Sequence, residues 1–298
     1  MNSNIKFNNY YKIFNIMSFL LIIISIILII FKGLNFGVDF KGGTLIELRI
    51  IDKQTNISSL RSAFNNMNLG DVAIKNFGND SDFLIKFEKK DNDKNLIQNI
   101  KVSLTKVIGP VFEFRRVENV GPKVSAELLN KGLIAIAAAL GAMLFYIWIR
   151  FEWQFSIGAI IAIFHDVIIT IGIFSLLNIE VNLSIVAAVL TIVGYSMNDT
   201  VVIFDRVREN LKKHVNIKIF ELTNISINET LSRTIITSIT TLLALLSIFI
   251  FGGEILKGFS LAMILGVVFG TYSSIYIANP ILVYLKVSYK TVVKEENT

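Results

Sequence analysis

Asn198 and Asp199 stand inside an otherwise apolar run, Leu183–Phe204. A carboxylate at that depth in a bilayer costs about 2.5–3.5 kcal/mol on insertion scales, so it points to a proton or ion pathway; its bland alternative is a hydrogen bond between neighbouring helices. On helical spacing Asp199 shares a face with Tyr195, Ser196, Val202 and Arg206, and Asn198 shares one with Thr191, Gly194 and Asp205. Two adjacent polar stripes predict a hydrated interior, and Gly194 predicts a neighbour at close approach. Asp205, Arg206, Arg208 and Glu209 then mark the return to water. Farther along, Ser232-Arg233-Thr234 opens an apolar run that continues with Thr237, Ser238, Thr240 and Thr241. Arg233 is the cation best placed to pair with Asp199, with snorkelling to the phosphate level as its structural alternative. His165 and Asp166 form a second polar pair within an apolar run. Being consecutive they face about 100° apart, so they are not expected to point at one neighbour together. A histidine, a carboxylate and Gly194-Tyr195-Ser196 resemble hydrolase parts, but Asn198 occupies the place of the second glycine of a nucleophile elbow.

The elements that must position these residues are membrane spans. Of 298 residues 53% are hydrophobic and 17% charged, against about 25% charged in ordinary soluble domains. Cysteine is absent and only His165 and His214 are available as imidazoles, so neither disulfides, thiolate metal sites nor a histidine-built zinc site is expected. Gly37-Val38-Asp39-Phe40-Lys41-Gly42-Gly43 lacks the spacing of a phosphate-binding loop and leads into a strand. No nucleotide motif occurs elsewhere, so hydrolysis of ATP by this chain is not expected, nor is a nucleic-acid partner.

Residues 1–12 are polar and 13–31 form a first apolar run, long enough for a hydrocarbon core of about 30 Å. The run ends at Phe31-Lys32-Gly33, unlike the shorter, small-residue ending of a signal peptide. Composition turns mixed over 32–130. There the pattern predicts strand Thr44–Ile51, helix Ile57–Met67, strands Asp71–Phe77 and Phe83–Glu88 with a turn at Gly78-Asn79-Asp80, helix Asn95–Val107 and strand Val111–Val117. That order, βαββαβ, is a ferredoxin-like α+β arrangement. Gly42, Gly43, Gly121 and Pro122 are its expected hinges, with a short helix at Ser125–Asn130. Further spans are predicted at 133–149, 155–177, 183–204, 234–251 and 259–285, the last broken near Asn279-Pro280. A polar loop is expected at 205–233 and a tail at 286–298. The predicted fold is thus an α-helical polytopic membrane protein of six transmembrane helices, with one extracytoplasmic domain between helices 1 and 2.

Positive charge orients it. Lys6, Lys12, Arg150, the six Lys or Arg of 205–233 and the tail fall on one side, whereas the opposite short loops offer only Lys257. By the positive-inside rule both termini are cytoplasmic, which puts the 32–130 domain on the periplasmic or extracellular face.

GVDFKGGT at Gly37–Thr44, VGPKVSAEL at Val120–Leu128, HDV at His165–Val167, GYSMNDTVVIFDRVREN at Gly194–Asn210 and SRTIITS at Ser232–Ser238 together resemble the SecF family of the bacterial Sec protein-export machinery, from the first span to the last. The resemblance implies kinship with resistance-nodulation-division exporters and residence in the inner membrane. It implies SecD as partner, in pseudo-twofold pairing, with the SecYEG channel, the SecA motor, YajC and YidC as wider associates and a preprotein as cargo. It further implies a proton relay at Asp199 with Arg233 and Thr237 beside it and protons as the coupling ion, without another cofactor. Asn198 joins that relay on position, and Ser196, Tyr195, His165 and Asp166 are its supporting polar groups. The residues alone leave open a half-exporter for a small hydrophobic molecule or lipid, and a non-transporting scaffold.

Overall fold

The structure, a computed structural model, describes residues 5–51, 57–67, 69–70, 72–87 and 95–293. Two compact units emerge, Phe36–Leu133 and a second formed by Met1–Asn35 with Ile134–Thr298. In chain order the main elements are α1 (Tyr11–Phe31), β1 (Gly43–Ile50), α2 (Ile57–Asn65), β2 (Val72–Phe77), β3 (Asn79–Phe87), α3 (Leu96–Ile108) and β4 (Phe112–Val120). They continue with α4 (Pro122–Arg150), α5 (Trp153–Leu177), α6 (Leu183–Lys213), α7 (Ile219–Phe251), α8 (Glu254–Ser273), a π turn (Ser274–Ala278) and α9 (Asn279–Tyr284).

In the smaller unit the four strands run in the spatial order β2-β3-β1-β4, every neighbouring pair antiparallel. β1 is the inner strand bonded on both edges, and apolar Ile46, Leu48 and Ile50 are lost from solvent with Leu60 and Phe64 of α2, Ile85 of β3, and Ile100 and Leu104 of α3. β4, at the sheet edge, alternates between half-buried and exposed residues, the pattern of a strand with one solvated face. β3 begins at Asn79, one residue after Gly78 with its φ of +84°. The predicted three-residue turn therefore tightens, because glycine takes the left-handed conformation without steric cost. Asp71 and Glu88, ends of predicted strands, lie outside the described residues.

The charges that interrupt β1 are explained by the register. Arg49 stands opposite Asp82 of β3 and grips it through Nε and Nη2, both at 2.7 Å. Arg115 of β4 reaches Glu47 at 3.6 Å and Asp82 at 3.7 Å. The Arg49 hydrogen bonds hold the Asp82 carboxyl below the usual carboxylate range. Burial, with Lys75 and Lys41 nearby, pushes the Lys86 ammonium down to about 8. Among the expected hinges, Gly42 and Gly43 have φ of +80° and +123°, and a Cβ on Gly42 would come within 3.2 Å of Ser125 Oγ and 3.4 Å of Pro122 Cα. Gly121 has no such backbone requirement and Pro122 opens α4, where its missing N–H is no loss.

Among the described residues six helices are long and apolar enough to cross a membrane, so this is a multi-pass membrane protein. Three expectations change. The short helix at Ser125–Asn130 and the second span are a single helix, α4. The segment 205–233, predicted as a loop from its charges, is helical except around 214–218, because α6 and α7 run past their apolar sections and pair those charges with one another: Arg206 Nε meets Glu229 at 2.7 Å, and Asn210 Nδ2 donates to Ser226 at 3.0 Å and to Glu229 at 2.7 Å. The last span gives way to a π turn before Pro280, which sits in the first turn of α9; a proline lacks the N–H that an interior α-helical position would use.

Glycines set the closest helix approaches. A Cβ on Gly172 of α5 would collide with Ser25 of α1, and one on Gly266 of α8 with Ile192 of α6. Gly270 faces Ser196, whose Cα and Cβ lie 3.1 and 3.0 Å from where its Cβ would be. Small residues of this kind let helices pack where lipid supplies no hydrophobic drive. Gly194, by contrast, has only Met143 Cε at 4.0 Å, so the close neighbour predicted for it is not found among the described residues. Ahead of α1, the backbone of the N-terminal segment is strapped to α7: Ile5 N donates to Asn228 Oδ1 at 3.0 Å, Asn228 Nδ2 returns a bond to Ile5 O at 2.9 Å, and Phe7 N donates to Asn224 Oδ1 at 2.8 Å.

Candidate intramembrane polar site

Asp199 is 2% exposed, where α6 meets α7 and α8. Thr271 Oγ1 of α8 donates to its Oδ2 at a long 3.4 Å, and Thr271 in turn shares a 2.7 Å hydrogen bond with Ser238 of α7. One carboxylate therefore touches a hydroxyl chain that ties three spans together. Arg233 is exposed and forms no ion pair with Asp199; it acts on the carboxylate through space. The expected direct pairing is thus absent, because Arg233 lies on the flank of α7 whereas Thr234 and Ser238 occupy its buried face. Thr237 bonds its own helix, donating to Arg233 O and Thr234 O at 3.0 Å each. Asn198 is exposed, and Tyr195 is half-buried with its hydroxyl reaching no protein partner. These residues line the same stretch as Asp199 without touching it.

A second carboxylate lies one turn away. Asp166 of α5 is wholly buried and accepts from Ser196 Oγ of α6 at 2.6 Å and Ser273 Oγ of α8 at 2.8 Å, while His165 Nδ1 stands 2.8 Å from its other oxygen. The expectation that His165 and Asp166 would not point at one neighbour together is corrected here: both meet α8, Asp166 at Ser273 and His165 at Tyr272, and the two side chains also contact each other. His165 stacks on Tyr272 with ring centroids 5.7 Å apart and meets the edge of Phe269 at 6.3 Å. The Tyr272 hydroxyl reaches α1, at Phe14 O (2.9 Å) and Ser18 Oγ (2.7 Å). The arrangement is not a hydrolase triad. Ser196 bonds the carboxylate rather than the imidazole, so the serine–imidazole contact of such a triad is not formed.

Asp205, Arg206 and Arg208 are not part of either cluster. They clamp the polar end of α6: Arg150 to Asp205 at 2.7 Å, Arg208 to Glu152 at 2.9 Å, and Arg206 to Glu209 at 2.6 Å as well as to Glu229. Sequence reading missed Thr271 and Ser273. The signal was present in Thr271-Tyr272-Ser273-Ser274, four consecutive polar residues inside the sixth apolar run. Ser238 was visible too, one helical turn beyond Thr234.

Known proteins are similar to this chain. The family described as Protein export membrane protein SecD/SecF, C-terminal, matches residues 100–288, and the SecD/SecF GG motif matches 27–50. Protein translocase subunit SecF of Rickettsia felis is 46% identical over 93% of this chain and 90% of its own length. The subunit of the same name from Calditerrivibrio nitroreducens is 48% identical over 95% and 94%. Among solved structures, that of SecDF, a translocon-associated membrane protein from Thermus thermophilus, matches with a TM-score of 0.84 at 34% identity, over 96% of this chain and 39% of that one. The present chain spans less than half of that protein.

Proposed function

The chain belongs to the SecD/SecF family of protein-export membrane proteins, on its SecF side, and from that premise we propose that it is the auxiliary subunit of a Sec translocase which, with SecD, uses the proton gradient to help preproteins across the inner membrane. The observation that carries the proposed proton coupling is Asp199, a buried carboxylate at the junction of three spans, met by Thr271 at a long 3.4 Å and also by Ser238. A carboxylate so lightly held changes its neighbours when it gains or loses a proton: burial favours the neutral form and a nearby arginine the charged one. A potential of 100 mV supplies about 2.3 kcal/mol per charge moved, comparable to the cost of rearranging a hydroxyl chain such as Thr271–Ser238. The β-sheet unit, read as ferredoxin-like, is the extracytoplasmic part that such movement shifts, and both termini are cytoplasmic on the positive-inside count. Exposure of Asn198 and Arg233 on apolar helices supports a membrane partner, for lipid would penalise those groups. On this reading SecD covers them, and SecYEG and SecA, with YajC and YidC, supply channel and motor. The protein performs no bond chemistry of its own.

Export of a preprotein into inverted vesicles, with and without an imposed proton gradient, tests the reading. Asp199→Asn keeps shape and polarity, so complexes assemble while the gradient ceases to stimulate export. Asp199→Glu retains part of the stimulation. Full stimulation with Asp199→Asn would remove Asp199 from proton coupling.

A further inference from the structure

Two arginine–carboxylate pairs of this chain close in different ways. Arg49 grips Asp82 through Nε and Nη2, one to each carboxylate oxygen at 2.7 Å, the two-point geometry that such pairs favour. Arg208 meets Glu152 through Nη2 and Oε1 alone, at 2.9 Å, while its Nη1 reaches Arg150 O at 3.4 Å. The atoms that would make the second contact, Arg208 Nε and Glu152 Oε2, are both buried and both without a partner among the described residues. Gln154 Oε1, two residues on, is buried and unpartnered as well. One donor and two acceptors left unmade are unfavourable, and each calls for an explanation. The three side chains line a common cleft of about 700 Å³, together with Trp148, Arg150 and Trp153. Arg208 and Glu152 keep side-chain exposures of 28% and 16%, so rotation about their last bonds turns the orphan atoms toward the cleft. It lies where α4 ends and α5 begins. Arg150 directly follows the apolar run 133–149, and Trp148 and Trp153 are 65% and 55% exposed. Exposed tryptophans at the end of an apolar span stand at the headgroup level of a bilayer.

We propose that this cleft binds the headgroup of a phospholipid whose phosphodiester carries a primary ammonium, as in phosphatidylethanolamine. The ammonium donates to Glu152 Oε2 and Gln154 Oε1, the phosphate accepts from Arg208 Nε with the Arg150 guanidinium beside it, and the acyl chains leave past Trp148 and Trp153. The orphan atoms decide the class. Two acceptors, one of them on a carboxylate, call for a cation with more than one N–H, and an arginine donor calls for an anion. The fixed charges of the cleft match a ligand that carries both signs: Arg150 and Arg208 stand against Glu152 and against Asp205, which Arg150 bonds at 2.7 Å. A trimethylated ammonium has no N–H to give, and a phosphoglycerol headgroup has no cation. The site goes beyond the export reading and stands whether or not Asp199 carries a proton.

The test uses the full-length protein in mild detergent and lipids with identical oleoyl chains ending in ethanolamine, choline or glycerol, with retained lipid read by native mass spectrometry and stability by thermal melting. The ethanolamine lipid is expected to be retained about tenfold better than the choline lipid, the scale of one hydrogen bond to a charged group, and to raise the melting temperature more than either of the others. Glu152→Gln removes the carboxylate and is expected to bring the ethanolamine and choline lipids close to parity. Gln154→Leu leaves both ion pairs in place and is expected to lower the preference in part, so it carries the test if Glu152→Gln does not fold. Equal retention of the three lipids, which is annular lipid only, overturns the proposal, as does a preference that survives both substitutions or one that favours the glycerol lipid. Soluble glycerophosphoethanolamine distinguishes the source: stabilisation of the lipid-free protein as strong as the lipid gives overturns the membrane as the origin of the ligand, and a weaker effect supports it.

Discussion

Arg233 offers a sharp test at the scale of single residues because it influences Asp199 without touching it. A charge acting through space needs no planar fork, so Arg233→Lys is expected to keep most gradient-stimulated export and Arg233→Ala to lose the larger part, measured in the same vesicles. If lysine proves as damaging as alanine, Arg233 makes a bidentate contact in some other state of the cycle. Thr271→Val preserves shape and removes one of the hydroxyls that meet Asp199, leaving Ser238; a drop of roughly 2- to 13-fold is expected, matching about 0.5–1.5 kcal/mol for one hydrogen bond. Asp199 was legible in the sequence because a carboxylate in an apolar run is costly wherever it lies. Its partners were less so. Serine and threonine cost little in a membrane helix, where they can bond their own backbone, as Thr237 does, and only the packing tells Ser238 and Thr271 from the rest.

At the scale of elements, the β-sheet unit has its own core and its own ion pairs, so residues 43–120 are expected to fold as an isolated fragment with a cooperative thermal transition. Its pH dependence follows from two groups. Asp82, held low by Arg49, contributes stability that is present above the ordinary carboxylate range and lost as pH falls through its folded value. Lys86, down at about 8 against an ordinary 10.5, binds fewer protons folded than unfolded between those values, so stability rises with pH across that window. The melting temperature should therefore climb from pH 7.5 to 10, and Lys86→Met should raise it at pH 7.5 and flatten the climb. Arg49→Met should lower stability by about 1–3 kcal/mol, since it strands a buried acceptor; an unchanged melt would show that Asp82 finds Arg115 instead. Strand order was readable here from alternation and turn residues, whereas the intrusive Glu47 and Arg49 became intelligible only with the register. Among the helices, apolar length located every span but not the ends of α6 and α7, whose charges are paired helix to helix and so look like a loop in one dimension.

For the whole molecule, the proposed function joins the exposed Asn198 and Arg233 to the buried carboxylate of Asp199 and calls for a partner subunit over them. Reconstituted without SecD, the chain is expected to give no gradient stimulation, and with SecD to recover it; stimulation by the lone chain would refute the requirement. The N-terminal strap has a consequence in time. Ile5 emerges from the ribosome at the start of synthesis, yet Asn228, which binds its backbone, lies 223 residues later in the chain, and Asn224, which accepts from Phe7 N, lies 217 residues after that residue. At about 5–20 residues per second, roughly 10–45 s separate the two. Ile5 and Phe7 therefore wait through the synthesis of everything between them and α7, and a chain that stalls before Asn224 leaves their backbone groups without these partners.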